Sequence, residues 1–129
     1  MVRSADPSKA PNYVIKAEEF LRTANASLEN NLYNSAVANA VHCGISALDA
    51  LTCSFKGKRG SDDHNEVLFL VQGILSPREY DDIRKQFTNL IDKKNASEYQ
   101  PDLMGVDDAK NSILWAERIL ARAKTKLTQ

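Results

Sequence analysis

Glycine and proline are scarce in this chain: five and four among 129 residues. They cluster outside the periodic segments, which excludes a fold of many short strands and tight turns. Cysteine is nearly absent. Cys43 and Cys53 fall ten positions apart in one predicted helix, about 15 Å along its axis, too far for a disulfide. They read as small buried residues of a protein in a reducing compartment. An excess of either charge is also missing, with 17 Lys+Arg against 17 Asp+Glu. That argues against a general coater of DNA or RNA and leaves a local basic site open. No run of about 18 apolar residues occurs, so no membrane-spanning helix is expected. The stretch Met1–Pro7 has no apolar core of a secretion signal, and a cytoplasmic location follows as the expectation.

Several chemistries lack their residues. There is no Glu-x-x-His pair for a di-iron bundle and no Cys-x-x-Cys for zinc. Lys56-Gly57-Lys58-Arg59-Gly60 lacks the spacing of a phosphate-binding P-loop. No Gly-x-Ser-x-Gly elbow for a serine hydrolase is present. No cofactor is expected. A metal site from His42, Asp49 and His64 is conceivable, but no metal is assigned.

What the chain does contain is helical periodicity. After a flexible tail at residues 1–11, a single domain is expected over residues 12–129. Tyr13, Ala17, Phe20, Leu21, Ala24 and Leu28 recur at steps of three and four and predict helix 1 over about 12–30. Asn30 and Asn31 can end it, because asparagine tolerates the left-handed cap. Helix 2 follows over about 33–55, with Asn34 as cap, and is apolar nearly all round, as in a central or interface helix. A basic loop over residues 56–61 comes next. Asp63 then opens a short helix 3, where Val67, Leu68, Val71, Ile74 and Leu75 form the buried face. Ser76-Pro77-Arg78-Glu79 is a strong start signal for helix 4, expected to end near Lys94. Residues 95–106 read as a loop. Asp107 can cap helix 5, whose Ala109, Ile113, Ala116, Leu120, Ala123 and Leu127 share a face. The expected fold is all-α: an up-and-down antiparallel bundle of four long helices and one short one, with no sheet.

The first candidate site is a polar stripe on helix 2. His42, Ser46 and Asp49 are spaced by four and three and share one face. A largely apolar helix rarely carries His and Asp without partners, since unpaired buried polar groups are costly. The stripe reads as an acid/base or ligand-binding face, or as a satisfied core network or a polar patch at a dimer seam. The second candidate is Asp92-Lys93-Lys94-Asn95-Ala96-Ser97-Glu98-Tyr99. Its lysines suit the carbonyl end of a helix, or they form a basic site beside a tyrosine able to stack or donate a proton.

Tyr13-Val14-Ile15-Lys16-Ala17-Glu18-Glu19-Phe20-Leu21, Leu32-Tyr33-Asn34-Ser35-Ala36, the stretch His42–Leu51, Asp63-His64 and Lys94-Asn95-Ala96-Ser97-Glu98-Tyr99 occur in that order. In this order and spacing the chain resembles HEPN-domain proteins, over about residues 12–125. The resemblance implies a bundle of four or five helices, often dimeric. It also implies kinship with ribonuclease toxins and defence components that work beside a nucleotidyltransferase-type antitoxin. The family's catalytic signature is Arg, four to six residues, then His. Here Lys93 or Lys94 stands in the Arg place and Glu98 to Gln100 in the His place. The imidazole that would serve as general acid or base is missing there. An active chain would be a metal-independent ribonuclease; a degenerate one would bind RNA, a nucleotide or a partner protein. The catalytic candidates are His42, Asp49, Lys94 and Tyr99, and the ligand-binding candidates are Ser46, Lys93, Asn95, Glu98 and His64. His42, Ser46 and Asp49 are expected to converge with Lys94, Asn95 and Tyr99, where Asp49 can pair with Lys94, and a homodimer is expected on the face of helix 2 that its own bundle leaves uncovered, with Ala47 a candidate for the seam.

Overall fold

The fold is an up-and-down bundle of five helices, seen in a computed structural model that describes residues 2–60 and 63–129. The elements run β1 (Arg3–Ser4), α1 (Ala10–Glu29), α2 (Tyr33–Lys56), β2 (Lys58–Arg59), α3 (His64–Gln72), α4 (Pro77–Tyr99) and α5 (Val106–Leu127). Ser61, expected within the basic loop, lies outside the described residues.

Helix α2 is the centre of the bundle, packed by α1, α5, α4 and α3. Most of its apolar surface is thereby used up inside the chain, with Ala38 and Phe55 left exposed. Ala36, Val37, Ala40, Ala47, Leu48 and Leu51 are fully buried and meet Ile83, Phe87 and Leu90 of α4 and Ala116 and Ile119 of α5. Ala47 therefore cannot lie on a subunit seam, contrary to expectation. By length and mean composition α2 is the one described helix apolar enough to cross a membrane, but 78% of its apolar stretch is buried in the core. Gly44 makes the close packing possible. A Cβ there would stand 2.7 Å from Leu90 Cδ1 and 3.6 Å from Ile119 Cδ1.

Local chemistry sets the helix limits. Asn31 ends α1 in the left-handed region, at φ 60°. Asn34, expected to cap α2, instead accepts a hydrogen bond from Met104 N at 3.0 Å and ties the α4–α5 loop to the start of α2. Asp63 caps α3 by accepting from Asn65 N at 2.9 Å. Leu70 joins Val67 and Val71 in the buried face of α3, while Leu68 is only partly buried; Leu75, expected on the same helix, is buried in the turn beyond its end at Gln72. Ser76 and Glu79 form the reciprocal capping box of α4.

Two boundaries differ from expectation. α4 continues past Lys94 to Tyr99. The Lys94–Glu98 pair, one turn apart, favours this extension. Proline disfavours the helical conformation in the residue before it, and Gln100, preceding Pro101, is extended at φ −110°, ψ 147°. At α5, the capping carboxylate is Asp108 rather than Asp107: Gly105 N donates to Asp108 Oδ2 at 2.8 Å.

The region before α1, expected as a flexible tail, makes specific contacts. Asp6 caps a 3-10 turn over Pro7–Lys9, accepting from Ser8 N at 3.0 Å. Gly57 ends α2 with a left-handed cap, φ 60°, a conformation glycine adopts without steric cost. Ala5 N donates to Gly57 O at 2.9 Å. The chain can then run antiparallel to its own start, pairing Arg3 with Arg59 and Ser4 with Lys58. This short ribbon is the departure from a purely helical fold.

Candidate functional site

The polar stripe of α2 meets the ribbon, α3 and α4 at one cavity. About 320 Å³ in volume, it is lined by Arg3 of β1, His42, Ile45 and Asp49 of α2, Arg59 of β2, Gly60, His64 of α3 and Lys94 of α4. His42, Asp49, His64 and Lys94 stand out in the sequence; Arg3 and Arg59 do not. Their signals existed, as Arg59 lies in the basic loop and Arg3 in the supposed tail. Nothing local announces a ribbon of two-residue strands.

Asp49 is the unusual group. Its residue surface is 9% exposed, and its Oδ1 is buried with no hydrogen-bond partner among the described residues. Burial disfavours the charged form and pushes its carboxyl up to about 6, while Arg59 and then Lys16 pull it back. Tyr13 lies close enough to feel that charge; burial first and Asp49 second hold its hydroxyl above the ordinary range. Burial, Asp6 and Asp49 likewise raise the Cys53 thiol, which donates to Asp6 O at 3.1 Å. Cys43 is buried away from this chemistry, its thiol pushed up to about 12 by burial and Glu117. Both cysteines are free and buried.

The histidines are fixed by aromatic contacts. His42 stacks on Phe20 with ring centres 5.2 Å apart, and its residue surface is exposed. His64 meets Phe87 edge-on at 5.7 Å. His64 also walls a neighbouring cavity of about 490 Å³, where Leu68, Phe87 and Ile91 supply apolar surface and Asp63, Asn65, Thr88 and Asp92 the polar part. Among the described residues no three His, Cys, Asp or Glu side chains gather so as to hold a metal ion, the trio His42, Asp49 and His64 included.

The α4 candidates divide. Lys94 Nζ pairs with Glu98 Oε2 at 3.2 Å, not with Asp49 as expected. His42, Lys94, Ser97 and Glu98 also border a crevice of about 40 Å³, at most a water site. Lys93 points elsewhere: its Nζ donates to Asp108 Oδ1 at 2.6 Å and ties α4 to α5. Tyr99 is 78% exposed, and neither it nor the exposed Asn95 lines the cavity. Ser46 is buried and does not line the cavity. The helical rise explains the split. Neighbours on a helix diverge by about 100°, so of Lys93 and Lys94 only one can face α2.

The cavity thus places the side chains of Arg3, Arg59 and Lys94 around one reluctant carboxylate. It can bind an anion and, with Asp49 titrating near neutrality, accept or donate a proton.

Comparison with known proteins supports the same fold. The crystal structure of TT1696 from Thermus thermophilus superposes with a TM-score of 0.73 at 20% sequence identity, covering 92% of this chain and 98% of that one. No curated protein matches the chain. The family model described as HEPN domain matches residues 11–126, nearly the whole chain. This helical bundle belongs to the HEPN domain family.

Proposed function

We propose that this chain is a HEPN-domain component of a toxin–antitoxin or defence-type system. In this reading it binds RNA or a nucleotide in the cleft between α2, the ribbon and α4, with a ribonuclease motif that has lost its usual form. The observation that carries the reading is the crowding of Arg3, Arg59 and Lys94 around the buried Asp49. A basic cleft in a chain of zero net charge suits a local phosphate contact rather than a general coat. Lys94, in place of the family's Arg, holds phosphate as a point charge and lacks the bidentate fork. A nucleotidyltransferase-type partner and a cytoplasmic location belong to the same reading. So does a homodimer, supported by exposed apolar side chains such as Leu103, at 81% exposure, and Leu32.

A second reading, an active metal-independent ribonuclease, is favoured by one feature. Asp49, with a carboxyl near 6, shares the cavity with His42 and Lys94. That is a workable acid/base set at neutral pH. One experiment separates the readings: incubate the full chain with labelled single-stranded RNA in EDTA, and follow binding by anisotropy and cleavage on a gel. Binding that weakens with salt, without cleavage, supports the first reading. Cleavage lost in Asp49→Asn and His42→Ala supports the second. No binding and no cleavage leaves a scaffold role.

A further inference from the structure

We propose that the cleft reads a terminal phosphate monoester, the free phosphate end of a nucleotide or an RNA, gripped by Arg3 and Arg59 from the two strands of the ribbon. The inference rests on the RNA/nucleotide reading above and narrows it to one chemical form. Arg3 and Arg59 are direct register partners. Like charges placed opposite each other across a strand pair are unfavourable. Among the described residues neither has an acidic side chain within ion-pair distance. Both nevertheless border the cavity that Asp49 and Lys94 also line. Two opposed guanidinium groups without ion-pair partners among the described residues suit an anion lying between them.

The charge count selects the anion. Lys94 is already paired with Glu98, so Arg3 and Arg59 leave one excess positive charge while Asp49 is ionised and two once it is protonated. A phosphate monoester carries close to two negative charges at neutral pH, whereas a diester within a chain carries one. The monoester also offers three free oxygens, so both forks can bind in bidentate fashion. Asp49 does not oppose this. Its carboxyl is pushed up by burial, and a neighbouring dianion favours its protonated form, which donates a hydrogen bond to phosphate. The remainder of the terminal nucleotide has space past His64, which is shared with the larger cavity floored by Leu68, Phe87 and Ile91.

The test is anisotropy on the full chain with one RNA oligomer prepared in three forms: 5′-phosphorylated, 3′-phosphorylated and hydroxyl at both ends. At least tenfold tighter binding of one phosphorylated form is expected. The preference should vanish in Arg3→Ala and in Arg59→Ala, and Arg59→Lys should restore only part of it. Competition by a nucleoside monophosphate, but not by the nucleoside, identifies the mononucleotide as sufficient. Competition by the phosphorylated oligomer alone identifies the RNA end. Equal affinity for all three oligomers overturns end reading while leaving RNA binding intact. No binding by any oligomer or nucleotide overturns both. The preference is measured within the wild-type protein, so it does not depend on how well a variant folds.

Discussion

Arg59 of the ribbon opposes, across the cleft, what burial does to Asp49 of α2. Burial drives the carboxyl towards its neutral form, and the guanidinium, first among the neighbouring cations, pulls it back. Arg59→Ala should therefore raise the Asp49 pKa above about 6. Carbon-detected NMR of the carboxyl through a pH titration measures this directly. An unchanged midpoint would show that the two groups do not interact.

The same carboxyl makes stability depend on pH. A folded-state pKa near 6, raised from 3.8, means that the folded chain binds the proton more readily than the unfolded one. The resulting stabilisation is complete below pH 3.8 and is lost as pH rises through about 6. At about 1.4 kcal/mol per pH unit, the loss approaches roughly 3 kcal/mol. Asp49→Asn should remove this dependence and stabilise the protein by about 1–3 kcal/mol at pH 8. Urea melts at pH 5 and pH 8 for both proteins test it: pH 5 already lies above 3.8, so only the wild type should lose stability between the two, by about half of the total.

Gly44 offers a packing test. Gly44→Val should destabilise by about 1–3 kcal/mol through overpacking, because Leu90 and Ile119 already fill that space. Gly44→Ala should cost less, since the gain in helix propensity, about 1 kcal/mol, offsets part of the strain. Denaturant midpoints that rank the two the other way would place the α2–α4 contact wrongly.

The start of α5 separates two neighbouring aspartates. Asp108→Ala should cost about 1–2 kcal/mol, because it removes both the cap on Gly105 N and the partner of Lys93. Asp107→Ala, which gives up only its interaction with the helix dipole, should cost less than about 0.5 kcal/mol. Thermal melts of the two variants suffice.

The lysine pair divides structure from function. Lys94→Ala should weaken RNA or nucleotide binding severalfold with little change in stability. Lys93→Ala should lower stability by up to about 1 kcal/mol, as for a half-exposed ion pair, and leave binding unchanged. If Lys93→Ala alone impaired binding, the facing of the two residues would have to be reversed.

The bundle was legible because helical periodicity and caps are local signals. Ser76 with Glu79 and Asp63 with Asn65 act where the sequence places them. α4 reads too short because Lys93-Lys94-Asn95 looks like a helix end, while the actual stop is the effect of Pro101 on Gln100. The breadth of the apolar surface on α2 suggested a dimer seam. In the fold it marks the central helix, with Ala47 enclosed by its own chain. For the site, periodicity found the α2 stripe and proximity in sequence found Lys94. Arg3 and Arg59 depend on pairing between distant segments, and strands of two residues show no alternation. The stripe offers Asp49 as a partner for Lys94, but Glu98 lies one helical turn from that lysine and takes the ion pair.

The ribbon also sets an order of events. Its strands join the chain's start to a point beyond both α1 and α2, so they can meet only after the loop between them has closed. Two-residue strands contribute little to driving that closure. The bundle should form first, and the arginine wall should settle last. On warming the order reverses. Hydrogen exchange at Ala5 N, which is bonded to Gly57 O, should outpace exchange in the middle of α2. The proposed ligand capture would therefore be lost while the circular dichroism remains that of an intact bundle, and a melting curve alone would overstate the temperature range over which the cleft is formed.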